Sequence, residues 1–337
     1  MTNRPARRLT IRDIADMAGV SKTTVSFYLN GKTERMSLAT QEKITEAIEK
    51  TGYKPSPLAR GLNDKDTRLL GIIIGNITNS FSNILVKAID HVVREDDYRV
   101  LVCNSSYDTA NELAIIDQLL ALGVDGFVLQ PTAQSAGIHK MITEAGKELV
   151  CIDSRMYDTQ THWVKANNYE ASFQAVSECI QRGYKRFLLI TANPGLISSR
   201  VERVTGFADA LKEHGLSYDE FILQDEGVDR DQVVSFVETY FDKTTPTLIF
   251  VANCWALADI YVALRPFYEH MPRLGLLGFD NTEWVRVATP SVSVVCQPAD
   301  AEGTEAGRIL LEALGDRELE IQHQELDCTI SWGDSTF

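Results

Sequence analysis

Five short polar side chains crowd six positions where a helical pattern begins: Ser21, Lys22, Thr23, Thr24 and Ser26. Groups of this size at a helix start reach base edges and phosphates in the major groove of DNA. A second set stands where apolar runs end. Asn79 and Phe81 follow one run, and Asp153, Asn193, Asn253, Trp255, Asp280 and Gln297 follow others. Carboxylates and amides beside aromatic faces suit a polyol, giving paired acceptors for adjacent hydroxyls and an apolar surface to stack on. Enzyme chemistry lacks its signatures, because the chain has no G-x-G-x-x-G, P-loop or G-x-S-x-G. The six cysteines (103, 151, 179, 254, 296 and 328) lie far apart, with no C-x-x-C or H-x-x-x-H. Neither a metal nor a cofactor is therefore expected.

The elements that position the first set are three short helices. Thr10 caps a helix over about 11–18, with Asp13 at the reciprocal position of a capping box. Gly19 makes the turn, Ser21 caps a helix to about Leu29, and Asn30-Gly31 stops it. A third helix runs from after Ser37 to Gly52. Helices this short need a common core, here Ile14, Ala15, Ala18, Val20, Val25, Leu29, Ile44 and Ile48. The spacing over 10–32 is that of a helix-turn-helix: small Ala15 at the crossing, Gly19 at the turn, and polar residues leading the second helix. Residues 54–66 carry two prolines among polar residues and read as a linker or hinge.

From Leu69 onward, eight apolar runs (69–77, 98–104, 126–130, 148–153, 186–191, 247–253, 273–280 and 291–297) alternate with helical stretches, the seventh of them spanning 254–270. Strands so uniformly apolar are buried on both faces, which predicts parallel sheets flanked by helices. Two open sheets and a TIM barrel both fit this alternation.

The 337 residues carry a formal charge of −14, which taken whole disfavours nucleic acid. The charge is uneven, however. Residues 1–66 hold 12 basic and 8 acidic side chains, a net of +4, leaving 21 against 39, a net of −18, on the rest. A basic reading head on an acidic body is the expected division. No apolar run approaches the roughly 20 residues of a membrane span, and the N-terminus has no apolar core of a secretion signal. With scattered thiols, the expected compartment is the cytoplasm.

Residues 10–66 resemble the N-terminus of the lac/purine-repressor (LacI–GalR) family, and the pattern after Leu69 resembles its regulatory core. The resemblance implies a helix-turn-helix headpiece over 1–53 and a hinge helix over 54–67. It further implies a core of two Rossmann-like subdomains, 68–164 plus 297–322 and 165–296 plus 323–337, like periplasmic sugar-binding proteins. It therefore favours two open sheets. Its implied function is a transcriptional regulator, a homodimeric repressor of carbohydrate-use genes on palindromic double-stranded DNA. By resemblance Lys22 and Thr23 read bases, while Thr10, Ser21, Thr24, Ser26 and Asn30 hold phosphates. Phe27 departs from the arginine common there and can meet a thymine methyl instead.

Ser56, Ala59 and Leu62 match the hinge motif, with Ser56 suited to an N-cap and Leu62 placed to wedge into the minor groove. Asp153, Arg203, Asn253, Asp280 and Gln297 match effector-binding positions; Asn79, Phe81 and Arg200 complete the expected site. Cys254 stands where an acid is usual, and Asn167-Asn168 where Asp-Asn is usual. The effector expected is a sugar, sugar acid or sugar phosphate, with the acid and phosphate favoured by the two arginines. A transport-type sugar-binding protein of the same core is the alternative, which lacks a helix-turn-helix.

Overall fold

The computed structural model describes residues 9–29, 31–34, 36–53, 67–132, 136–156, 160–224 and 227–337. Two compact units emerge, Met1–Thr67 and Arg68–Phe337.

The first unit holds α1 (Ile11–Ala18), α2 (Lys22–Leu29) and α3 (Leu38–Thr51). Thr10 and Asp13 form the capping box at the start of α1. Gly19 closes that helix at φ 66°, a left-handed conformation that costs glycine nothing. Ile14, Ala15, Ala18, Val25, Ile44 and Ala47 are buried together, with Val20, Leu29 and Ile48 packed around them. Tyr28 and Thr45 hydrogen-bond through their hydroxyls at 2.6 Å and tie α2 to α3. This shared core is what such short helices require.

The second unit contains two six-stranded sheets. Its elements are β1 (Leu69–Ile74), α4 (Ser80–Glu95), β2 (Arg99–Asn104), α5 (Thr109–Leu122), β3 (Gly126–Leu129), α6 (Ala136–Glu144), β4 (Glu148–Ile152) and β5 (His162–Ala166). The chain continues through α7 (Asn168–Gln181), β6 (Arg186–Ala192), α8 (Ser198–Glu213), β7 (Asp219–Leu223), α9 (Arg230–Tyr240), β8 (Thr247–Val251), α10 (Cys254–Ala263), β9 (Leu274–Phe279) and α11 (Trp284–Val287). It finishes with β10 (Ser293–Cys296), α12 (Ala299–Gly315), β11 (His323–Leu326) and β12 (Thr329–Ser331). One sheet runs β11-β5-β4-β3-β1-β2, with its registered pairs all parallel. The other runs β12-β10-β9-β8-β6-β7, parallel except for β12 against β10. The architecture is thus a helical headpiece with an α/β core of two parallel-dominated sheets. Strand order reverses at β1 in one sheet and at β6 in the other, which marks the ligand-binding ends of such sheets.

The apolar strands are buried on both faces; in β1, Leu70, Ile72, Ile73 and Ile74 are all 0% exposed. Helices cover the sheets at close range. A Cβ on Gly206 would lie 2.3 Å from the backbone oxygen of Tyr169, so α7 and α8 touch backbone to side-chain-free backbone. Among the described residues, no helix is long and apolar enough to cross a membrane.

The expected domain limits shift at two crossings. β5 extends to Ala166, and β11 pairs in parallel with it, from His323 on Trp163 to Leu326 on Ala166. Residues 165–166 and 323–326 therefore belong to the first lobe, and the chain crosses between lobes at 166–168, 296–299 and 326–329. Asn167 staples two of these crossings: its amide oxygen accepts from Cys328 N–H at 2.8 Å and its Nδ2 donates to Asp327 at 2.8 Å. The helical stretch expected over 254–270 is α10 followed by a 3-10 turn over Arg265–His270, because Pro266 cannot donate to a continuing helix.

Candidate DNA-reading head and effector cleft

On the reading head, α2 presents its first turns outward. Lys22, Thr23 and Phe27 are exposed, Phe27 by 50%. Thr10 and Ser21 have structural duties. The Thr10 hydroxyl donates to Asp13 at 2.7 Å, and Ser21 Oγ accepts from Thr24 N–H at 3.1 Å while bonding the Thr24 hydroxyl at 2.8 Å. Both side chains satisfy backbone N–H groups at the start of a helix. Asn30, Ser56, Ala59 and Leu62 lie outside the described residues.

In the second unit, seven of the eight expected effector residues line one cavity: Asn79, Phe81, Asp153, Arg200, Arg203, Asn253 and Gln297. Asn79 and Phe81 come from the start of α4, Asp153 from the end of β4, the arginines from the first turns of α8, and Asn253 from the end of β8. Gln297 lies on a crossing between the lobes. Asp280 is not among the lining residues. Its carboxylate is turned inward, accepting from Thr282 N–H at 2.6 Å and from Trp284 Nε1 at 2.8 Å. Tyr107, Gln130, Ile197, Ser199, Cys254 and Trp255 complete the lining.

Asp153 is the organising acid. It adopts φ 60°, which turns its side chain back into the cleft. One carboxylate oxygen accepts from Gln130 Nε2 at 2.7 Å and from the Ser199 hydroxyl at 3.2 Å. The other, buried and without a hydrogen bond, faces Arg203 at 3.8 Å, an ion-pair distance too long for a direct hydrogen bond. Arg203 is held by Asn168 Oδ1 at 2.8 Å and the Ala252 carbonyl at 2.9 Å, and its guanidinium lies 4.0 Å from the centre of the Phe279 ring. Arg200, 2% exposed, stacks 5.0 Å from the Tyr107 ring. That ring rests on Gly75, where a Cβ would come within 2.0 Å of it.

Two further features set the electrostatics. Glu302 on α12 is fully buried and accepts from the Asp153 N–H. Burial, then the neighbouring Asp153 carboxylate, push its carboxyl well above the usual range, which favours the protonated form. Burial likewise raises the Cys254 thiol, whose sulfur donates to Asn79 Oδ1. The Gln297 amide, 3% exposed, has neither its nitrogen nor its oxygen hydrogen-bonded, and so presents a donor and an acceptor at the cavity.

The lobes stand close together. Arg155 N–H donates to Ser198 Oγ at 2.9 Å, and Ser199 N–H to Ser154 Oγ at 3.4 Å. The space left is about 20 Å³, room for a water. Ordinary small-ligand sites take roughly 300–1,000 Å³, so the cleft as it stands is narrower than a sugar.

Comparison with known proteins bears on both units. The family described as bacterial regulatory proteins, lacI family, matches residues 10–56. Periplasmic binding proteins and sugar binding domain of LacI family matches residues 67–265. The probable HTH-type transcriptional regulator EndR of Paenibacillus polymyxa is 28% identical over 321 residues, 94% of this chain and 93% of that one. The HTH-type transcriptional regulator PtxS of Pseudomonas aeruginosa is 30% identical over 327 residues, 93% and 92% of the two chains. The crystal structure of a LacI-family transcriptional regulator from Silicibacter pomeroyi shares the fold at a TM-score of 0.82 and 21% identity, covering 97% of this chain and 99% of that one.

Proposed function

The chain belongs to the LacI family of DNA-binding transcriptional regulators, and we propose that it represses carbohydrate-use genes under the control of an anionic sugar derivative. The protein is a regulator and not an enzyme. The observation that carries the effector reading is the charge of the cleft. Arg200 and Arg203 line it together with Asp153, and burial favours the protonated form of Glu302 beside them. Two guanidinium groups in one lining suit a carboxylate or phosphate held through charge-assisted bonds. The open oxygen of Asp153 and the amide of Gln297 supply the acceptors and donor that hydroxyls need. A sugar acid or sugar phosphate meets both demands.

In this reading a homodimer presents two headpieces to a palindromic operator in the cytoplasm, with Lys22, Thr23 and Phe27 at base edges. Ser26 and the helix caps at Thr10, Ser21 and Thr24 lie along the phosphates. Asn30 takes a further phosphate, and Ser56, Ala59 and Leu62 act in the minor groove. The effector changes the cleft, the cleft changes the pose of the hinge segments, and operator affinity follows as a coupling between two sites.

The test is calorimetric titration of the whole chain with glucose, gluconate, glucuronate and glucose 6-phosphate, alongside gel shift on palindromic DNA. An anionic member binds and alters the shift, while Arg203→Met abolishes both effects and leaves effector-free DNA binding intact. Tight binding of glucose alone sinks the anionic reading, and no binding of palindromic DNA at low salt sinks the operator reading.

A further inference from the structure

At the end of the first sheet opposite the effector cavity, the chain reaches β1 through a constrained residue. Arg68 holds φ 58°, a left-handed conformation that an arginine keeps only where its surroundings over-determine it. Its neighbours do so. The Asp125 carboxylate accepts from the Arg68 N–H at 2.7 Å, and the Arg68 carbonyl accepts from Arg99 N–H at 2.9 Å. The guanidinium donates to the Asp96 carbonyl at 3.1 Å and lies 5.0 Å from the centre of the Tyr98 ring. Asp125 is the buried member, 6% exposed, directly ahead of β3. Its own N–H donates to the Leu69 carbonyl at 2.8 Å, so its side chain and backbone together fasten the start of β1. Lys147, ahead of β4, stands 3.9 Å from the same carboxylate and offsets its charge. None of these residues lines the cavity.

We propose that Asp125 is a positioning residue for operator binding, which fixes the direction in which the linker leaves the core. Arg68 is the first residue of the second compact unit, directly after the hinge expected over 54–67. A left-handed residue at that point bends the chain, and the carboxylate grips the very peptide that joins Thr67 to Arg68. A bond from a carboxylate to a backbone N–H is charge-assisted and stronger than one from a neutral acceptor. A two-headed binder gains from a fixed exit. Once one headpiece is seated, its tether sets how concentrated the second is at the other half-site. Pre-organisation also lowers the ordering cost of binding. The proposal rests on the reading of a dimer on palindromic DNA and is independent of which effector is bound.

The experiment uses the full chain and a palindromic duplex selected from a random pool on the wild-type protein, alongside the same duplex with one half-site scrambled. Asp125→Ala is expected to bind the palindrome about tenfold more weakly than the wild type, because the second head is diluted at its half-site. The scrambled duplex is expected to bind both proteins equally. Asp125→Asn keeps an acceptor for the Arg68 N–H and is expected to recover most of the lost affinity. Arg68 is exposed, so water takes the released N–H and the core is expected to melt as in the wild type. Asp125→Leu, which lacks an acceptor but fills the space, replaces Asp125→Ala where that melt is lost. Unchanged affinity of Asp125→Ala for the palindrome overturns the proposal. An equal loss on both duplexes overturns it too, by showing a general support of the fold. Asp125→Asn as weak as Asp125→Ala does the same, by removing the N–H grip as the cause. Wild-type protein that binds both duplexes equally overturns the two-headed reading, and this proposal with it.

Discussion

Replacing Glu302 by Gln isolates the buried carboxyl behind the cleft. Glu302 is 0% exposed; one carboxyl oxygen accepts from Asp153 N–H and the other has no hydrogen-bond partner. Burial first, and the Asp153 charge second, raise its ionisation well above the usual carboxylate range; Arg203 and Lys165 offset this in part. The unfolded chain ionises this group at its ordinary value of about 4.3. A folded value above the unfolded one means that the stability contributed is complete below the unfolded pKa and is lost as pH rises towards the folded pKa.

The loss runs at about 1.4 kcal/mol per pH unit while the unfolded chain is ionised and the folded one is not. Gln keeps the acceptor for Asp153 N–H and the shape of the side chain, but has no proton to lose. Denaturant unfolding of both proteins at half-unit steps from pH 5 to 8 measures the difference. The variant gains on the wild type with rising pH, along that slope, until Glu302 itself ionises. Parallel stability curves across the range would refute the assignment of a neutral Glu302, and with it the charge reckoning of the cleft.

Three other substitutions separate structural from reading roles. Thr10→Ala removes both bonds of the Thr10 hydroxyl, with Asp13 N–H and with the Asp13 carboxylate, and lowers headpiece stability by about 0.5–2 kcal/mol, measured by thermal unfolding of the helical signal. Phe27→Ala changes stability by less than about 0.5 kcal/mol, since half of the ring is already exposed, yet weakens operator binding in gel shift; unaltered DNA affinity would remove Phe27 from the interface. Gly206→Ala pushes a methyl into the backbone of Tyr169, with no flexible side chain to give way, and costs about 1–3 kcal/mol in denaturant unfolding.

The reading head and the central strands were legible because local rules decide them: caps, a turn glycine, and apolar runs buried on two faces. β5 and β7 were harder. β5 reads HWVKA, and its polar Lys165 is buried because distant carboxylates neutralise it, which no local pattern discloses. β7 alternates in exposure at the sheet edge, so its DEFIL sequence never forms an apolar run. In the cleft, the rule that ligands gather at strand ends located Asn79, Asp153, Asn253 and Gln297. It also named Asp280, whose carboxylate a local turn and Trp284 have turned away.

Tyr107 escaped notice because two successive residues in left-handed conformation, Ser106 and Tyr107, fold the ring back over Gly75. Gln130 and Ser199 carried a signal that went unused. Gln130 follows β3 directly, and Ser199 lies in the first turn of the helix after β6. Gln130 reaches Asp153 from the neighbouring strand of the same sheet and Ser199 from the other lobe, contacts that spacing alone does not reveal.

The three crossings between lobes also dictate how this protein can be made. The first sheet takes its outer strand from residues 323–326 and one of its covering helices from 299–315, both emerging after the second lobe's sheet strands β6 to β10. During synthesis the first lobe must wait, with the edge of β5 unpaired and the face meant for α12 uncovered, while about 130 residues of its neighbour are translated. At roughly 5–20 residues per second that interval lasts on the order of ten seconds, long enough for a nascent chain to meet a chaperone or another ribosome's product. A circular permutant that places 299–326 ahead of β1 would let each lobe finish in turn, and would show whether the interleaved order carries a cost in yield.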